Sequence, residues 1–401
     1  MNYDAIILGA GASGMMAAIT AGRREKKILL IEPQGVVGKK LSATGNGRCN
    51  ITHDPITLNA YHTDMPKRLE SVLSSFDLES TRKFFESIGV SVYNRDGYVY
   101  PRSNEARSVV KCMELALEEA GVQLITGVTP TDIKKTDTGF SLKLTNETHE
   151  APSLVIACGG MAGAELGGSE NGLLLAKSFN HRVADPFPSL TELFCSGLSF
   201  KKLKGVRVHG RVCIIMDGEI ISEDVGEIQL TEKGISGIPV FNISFEAISG
   251  LNIKKPITAV IDLFPEMDKE MLRAYVEYRC NIGRRSIEEA LLGLLPEKLI
   301  PEILKLFDLN GKKASRLSEI DLDNLCHILK GLALDVCGYG DYSRSQVMAG
   351  GVLLHDLKDN LESDSVPGLF FAGEVINVDG ICGGYNLQWA WSSGAVVGNH
   401  I

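Results

Sequence analysis

Three glycines in DAIILGAGASGMMAA (Gly9, Gly11 and Gly14), a carboxylate at Glu32, and the distant stretch GEVINVDGICGGYNLQWAWSSG have types and spacing that point to chemistry. A glycine-rich turn between a strand and a helix suits a phosphate. Gly9 permits the tight turn, Gly11 lets a pyrophosphate approach the backbone, and Gly14 allows close helix packing, while the first helical amides offer donors at the positive dipole end. The same pattern also serves a plain strand-to-helix turn. Glu32 favours a nucleotide, because it ends the second strand about 20 residues on, where a carboxylate accepts from both ribose hydroxyls and repels a 2′-phosphate. These features specify an adenine dinucleotide without separating FAD from NAD.

The second glycine-rich element separates them. If both chain ends build one domain, residues 373–386 lie beside the first site, and a dinucleotide touched by both ends is FAD. The glycine pair in DGICGGYNLQWAWSSG precedes a helix whose free amides would face the flavin N1 and C2 carbonyl and favour negative charge on the reduced ring. Its plain alternative is an ordinary glycine-bearing helix cap.

These residues need a scaffold. AIIL, the small-residue segment SGMMAAITAGRR and KILLIE spell strand, helix and strand within about thirty residues, a βαβ unit of a parallel sheet. A polar, glycine-rich loop follows over residues 35–52, then one helix over residues 69–88 packing on the sheet. A helix over residues 104–121 stops at a glycine suited to a left-handed cap. VQLITGV, GFSLKLTN and SLVIACGG read as strands.

From about residue 187 the pattern alternates, with Asp217-Gly218 as a hairpin turn, and GISGIPVFNIS and KKPITAVIDLF extend the β content. Residues 267–334 turn helical between Gly, Pro and Asn breaks. The fold class expected is therefore α/β, with a discontinuous first domain closed by the C-terminus, a separate β domain and a small helical insertion.

The loop GKKLSATGNGRCNIT is too polar and glycine-rich for a plain linker of its length. With LQLTEKGISGIPV, QVMAGGV and VPGLFFAGEVINVDGICGGYNLQWA, it resembles the YhiN/BaiN flavoprotein family, related to glutathione-reductase-type FAD proteins, nearly end to end. The resemblance implies a Rossmann-like FAD-binding domain (1–187 and 346–401), an inserted β-barrel-like domain (188–266 and 328–345) and a small helical insertion (267–327). It implies that Ala12, Ser13 and Gly14 face the pyrophosphate and Glu32 the ribose. It implies that Lys40, Thr44, Gly47, Arg48, Cys49 and Asn50 line the middle and ring of a non-covalent FAD, and that Val128 meets the adenine through its backbone. Ala157, Cys158 and Gly159 match a second FAD-contacting turn, Gly373, Glu374 and Asp379 address the ribityl and phosphate region, and Gly384, Tyr385, Asn386 and Leu387 the isoalloxazine.

Arg48 and Asp379 could equally form a structural ion pair, and Cys49 reads better as a small packed residue than as a redox thiol. Tyr385 is the candidate catalytic side chain, either donating to a substrate carbonyl or covering the ring. The chain departs from the family at Ala164, Glu165 and Leu166, where Pro-Lys-Thr is common, at Glu232, often histidine, and at Met348, often small and polar. Those departures bear on the substrate.

The remaining composition excludes other classes. Asp and Glu exceed Lys and Arg by 50 to 41, a net charge of −9 over 401 residues, so no nucleic acid or anionic membrane partner is expected. Nine cysteines without a CxxC pair fit reduced thiols, and no apolar run reaches a membrane span, so the protein is expected in the cytoplasm. The eight histidines form no HxxxH or HxH pair, which argues against a metal. No G-x-S-x-G elbow stands out, leaving the flavin as the reactive group.

The expectation is an FAD-dependent oxidoreductase acting on a small molecule. NADH or NADPH would serve as a transient donor, and the substrate would be an enone of the oxo-bile-acid kind. The alternatives are an oxidase of a small amine such as aminoacetone using O2, or a flavin-binding sensor or RNA-modification partner.

Overall fold

The computed structural model describes residues 3–145, 147–282 and 285–401. Two compact units divide the chain, one of residues 1–188 with 346–401 and one of residues 189–345.

The first unit is built on a five-stranded parallel sheet in the order Leu369–Phe371, Ser153–Ile156, Ala5–Leu8, Ile28–Glu32, Gln123–Thr126. Ala5 stands opposite both Ser153 and Ile28, so AIIL is flanked on each side by a parallel neighbour. Its four residues are buried, as a central parallel strand covered on both faces requires. One edge strand comes from the last fifty residues, which makes this unit discontinuous.

The C-terminal helix (Tyr385–His400) is buried almost all round, with Trp389 and Trp391 among the largest fully buried side chains. It packs on the first helix (Ala12–Gly22). A Cβ at Gly394 would lie 2.4 Å from the Ser13 carbonyl oxygen, and one at Gly398 would lie 2.6 Å from that of Ala17. Only glycine permits backbones this close. Both indoles are also tied down: Trp391 Nε1 donates to the Ile51 carbonyl at 2.9 Å and Trp389 Nε1 to that of Gly373 at 3.1 Å.

Two local expectations are corrected here. Residues 69–88 are two helices, Pro66–Ser75 and Leu78–Ser87, and they pack on the C-terminal helix. The break falls at Phe76, whose carbonyl accepts from Ser392 Oγ at 2.6 Å and Gln388 Nε2 at 3.2 Å, and Asp77 caps the second helix through Ser80 N at 2.8 Å. Residues 35–52 include a helix, Lys39–Gly47, whose last turn loses helical dihedrals at Thr44, Gly45 and Asn46.

The second unit holds a closed six-stranded barrel in the order Leu193–Ser196, Gly234–Ser236, Glu219–Leu230, Arg207–Met216, Ile257–Asp262, Leu332–Tyr339. Asp217 and Gly218 both have positive φ, 53° and 88°, in the hairpin turn that joins its two longest strands. GISGIPVFNIS is strand only as far as Ser236, and Pro239 then opens the helix Ile238–Asn242. Between the last two barrel strands lie the helices Lys269–Asn281, Ile287–Leu291, Ile300–Lys305 and Glu319–Lys330. The fourth therefore outlasts the expected limit at residue 327 by three residues, stopping at Gly331 before the next strand.

Among the described residues no helix is long and apolar enough to cross a membrane, and no group of three or more His, Cys, Asp or Glu side chains could hold a metal.

The helix contact gives a stability prediction. Gly394→Val should destabilise the protein by about 1–3 kcal/mol in denaturant titration, because the added carbons have nowhere to go. Gly35→Ala, in open space, should leave the midpoint unchanged.

Candidate cofactor site

The phosphate turn separates the roles of its glycines. A Cβ at Gly9, whose φ is 101°, would sit 2.4 Å from the Ala157 carbonyl oxygen, and one at Gly14 would sit 1.8 Å from that of Gly9. Those two are needed for packing. A Cβ at Gly11 would meet nothing within 4 Å, so this is where the backbone opens to a ligand at the helix N-terminus. Ala12 is half-buried at the same opening, and Ser13 is buried behind it.

Glu32 belongs to the same turn. Its Oε2 accepts from Ala10 N at 2.8 Å and its Oε1 from Gln34 N at 2.9 Å, so the carboxylate holds the turn while keeping lone pairs for hydroxyls. Gly127 N donates to the carbonyls of Glu32 and Gln34, both at 2.9 Å, and the half-buried Val128 follows it along the chain.

The two chain ends meet at Ser13. Its hydroxyl donates to the Ala372 carbonyl at 3.3 Å, and a Cβ at Gly373 would lie 2.3 Å from Ser13 Oγ. Gly373 N donates to Ser393 Oγ at 2.9 Å, which fixes this segment to the C-terminal helix. The turn of Ala157, Cys158 and Gly159 closes the same region, with Ala157 N on the Leu8 carbonyl at 2.9 Å and Gly159 at φ 71°. Gly159 has nothing nearer to a would-be Cβ than Glu374 Oε2 at 4.0 Å.

Other predicted residues are engaged with the protein. Lys40 Nζ and Glu374 Oε2 form an ion pair at 2.8 Å, and Glu374 Oε1 accepts from Met348 N at 2.9 Å. Thr44 Oγ1 donates to the Leu41 carbonyl at 2.7 Å. Asn386 holds Gly380 with its side-chain amide, accepting from its N at 2.9 Å and donating to its carbonyl at 2.6 Å. The buried Asp379 pairs with His62 Nδ1 at 3.2 Å, which replaces the expected alternative of an Arg48–Asp379 ion pair. Arg48 itself is exposed.

Burial pushes the thiols of Cys49 and Cys158 up to about 12, so both are protonated, packed groups at neutral pH. Gly45, Asn46, Gly47 and Cys49 all have positive φ, 57°, 54°, 83° and 62°. A Cβ at Gly47 would meet open space. This loop ends on Asn50, which is 8 % exposed and whose Oδ1 has no hydrogen-bond partner among the described residues. An orphaned buried acceptor is costly unless a ligand donor satisfies it. Together with the opening at Gly11, it is the observation that fits this site to a bound dinucleotide.

At the far end, Gly384 precedes the C-terminal helix with φ 101°, and a Cβ there would meet the Thr52 backbone at 2.6 Å. Tyr385 is buried. Its ring stacks on His53 at 5.0 Å and meets Tyr61 edge-on at 5.5 Å, and its carbonyl accepts from Tyr61 Oη at 2.9 Å. Leu387 is half-buried on the same turn. Sequence reasoning missed His53, Tyr61 and Tyr98, which form this aromatic wall. The only signal was the position of His53 immediately after GRCNIT.

Residues 3–400 match the HI0933-like protein Rossmann domain family. The chain belongs to this family. It has the Rossmann domain of that family. It is 37 % identical over 397 residues to a 3-dehydro-bile acid delta(4,6)-reductase of Clostridium scindens, with 98 % of this chain and 97 % of that protein covered. It is 30 % identical over 403 residues to a ribosomal RNA dihydrouridine synthase of Escherichia coli, covering 98 % and 96 %. A 3-ketosteroid delta1-dehydrogenase from Sterolibacterium denitrificans, solved with 1,4-androstadiene-3,17-dione, shares the fold with a TM-score of 0.53 at 13 % identity, covering 100 % of this chain and 99 % of that one.

Two measurements follow. Gly11→Val should fold with an unchanged denaturation midpoint yet purify without bound FAD, because the open space above Gly11 is filled. At pH 8, iodoacetamide should label the exposed Cys337 in the native protein and leave Cys49 and Cys158 untouched until the chain is unfolded, since their thiolates form only near pH 12.

Proposed function

We propose that this protein reduces a carbon–carbon double bond conjugated to a carbonyl in a small apolar molecule, with NADH or NADPH as the electron donor. The supporting structural observation is the meeting of the two chain ends at Ser13 and Gly373, because it gives a single dinucleotide contacts from both glycine-rich segments. The likeness to a bile-acid delta(4,6)-reductase over nearly the whole chain supports the enone.

The reaction delivers a hydride to the β-carbon of the enone and a proton to the α-carbon, while the nicotinamide gives up the hydride and becomes oxidised. FAD, when bound, supplies hydride transfer between the two. The residues of this chain do the rest. The amides following Gly11 bind the pyrophosphate, Glu32 orients the ribose, and Asn50 Oδ1 accepts one N–H donor. The amides of Tyr385, Asn386 and Leu387, in the first turn of the C-terminal helix, would offer donors to the ring edge. The packed ring of Tyr385 shapes this end of the site and excludes water.

The named activity of the second relative favours one other reading, reduction of a uracil ring in ribosomal RNA. Its double bond is likewise conjugated to a carbonyl, so one site chemistry serves both. The net charge of −9 makes the small molecule the better substrate here.

Anaerobic mixing with NADH and NADPH should bleach the flavin absorbance, and a steroid enone should restore it. Absence of bleaching with either coenzyme contradicts the reductase. Reoxidation by uridine-containing ribosomal RNA but by no enone selects the RNA reading. Tyr385→Phe should leave enone turnover near that of the wild type, since the ring and not the hydroxyl carries the packing.

A further inference from the structure

We infer that His53 is a positioning residue that sets the electron affinity of the bound flavin through the Gly383–Gly384 peptide, an inference that rests on the cofactor reading above. Strand pairing places His53 opposite Tyr98. Its ring stacks on Tyr385 at 5.0 Å and meets Tyr98 edge-on at 5.2 Å, so the imidazole plane is held from two sides. Its Nδ1 lies 3.1 Å from the Gly383 carbonyl oxygen. A carbonyl only accepts, so Nδ1 carries the hydrogen and donates. The other nitrogen faces the hairpin turn at Gly97, where a Cβ would come within 2.7 Å of Nε2.

The Gly383 carbonyl and the Gly384 N–H are two ends of one planar peptide. Donation to the carbonyl polarises the peptide and strengthens its N–H as a donor. That N–H stands at the entrance of the C-terminal helix, immediately before the Tyr385, Asn386 and Leu387 amides assigned above to the electron-accepting edge of the ring. Gly383 and Gly384 have φ of 118° and 101°, a backbone route that glycine alone takes easily, so an external brace is needed to choose its orientation. His53 is that brace. The charged neighbours do not compete for it: Asp54 is taken by Arg82 at 2.6 Å and Asn94 at 3.0 Å, and the remaining titratable groups against the ring are Tyr98 and Tyr385.

The test is the midpoint potential of the FAD-loaded protein, measured by dye equilibration. His53→Phe keeps a ring for stacking and removes the donor. His53→Asn keeps an N–H at the place of Nδ1 and removes the ring. The phenylalanine variant should be about tenfold harder to reduce, a shift of about 30 mV to more negative potential, and the asparagine variant should lie near the wild type. An unchanged potential in His53→Phe, or an equal drop in both variants, overturns the inference. Should the phenylalanine variant fail to fold, His53→Leu makes the same comparison. A wild-type protein that binds no FAD overturns the cofactor reading itself, and with it this one, before any variant is made.

Discussion

The backbones of the first helix and the C-terminal helix touch, with Gly394 against the Ser13 carbonyl and Gly398 against that of Ala17. Everything at the site depends on this contact. The first helix (Ala12–Gly22) carries the phosphate turn, the C-terminal helix (Tyr385–His400) carries the residues expected at the ring, and residues 23–384 separate them. Glycine at both contact points lets the helix axes approach more closely than side chains would allow, and the approach puts Gly373 directly on Ser13. Larger residues would separate the two segments.

The interior around that contact is polar where it has to be. Gln388 joins Thr52, Thr81, Ser392 and the Phe76 carbonyl in one buried network, and the two indole N–H groups reach Ile51 and Gly373. Each such bond is worth about 1 kcal/mol net, but leaving one partner buried and unpaired costs about 1–3 kcal/mol. The network therefore specifies one arrangement of the C-terminal helix against the loops that flank the site. Asn50 differs. Its Oδ1 is buried without a partner among the described residues, in the loop where a ligand is expected.

The parts of the fold set by local periodicity were legible in the sequence. AIIL and ILLIE have the continuous apolar character of buried parallel strands, and Asp217-Gly218 has the composition of its turn. The helix break at Phe76 was only partly legible: Asp77 is a local cap, but the groups that satisfy the Phe76 carbonyl, Gln388 and Ser392, lie more than three hundred positions away. The same holds for Asp379. Its charge suggested Arg48 as a partner, but the strand Val378–Gly380 pairs with Tyr61–Thr63 and brings His62 to it. At the site, the glycine motifs marked which segments converge. They could not show that Lys40, Glu374 and Asn386 are held by neighbouring protein groups, or that His53 supports the second turn.

The most direct test of a site built from both chain ends is hydrogen–deuterium exchange on the FAD-free protein as FAD is added. Amides at residues 11–14 and 384–387 should gain protection together, at the same FAD concentration, and NAD at that concentration should not protect residues 384–387. Protection confined to residues 11–14 would contradict the account, because the C-terminal segment would then have no part in holding the cofactor.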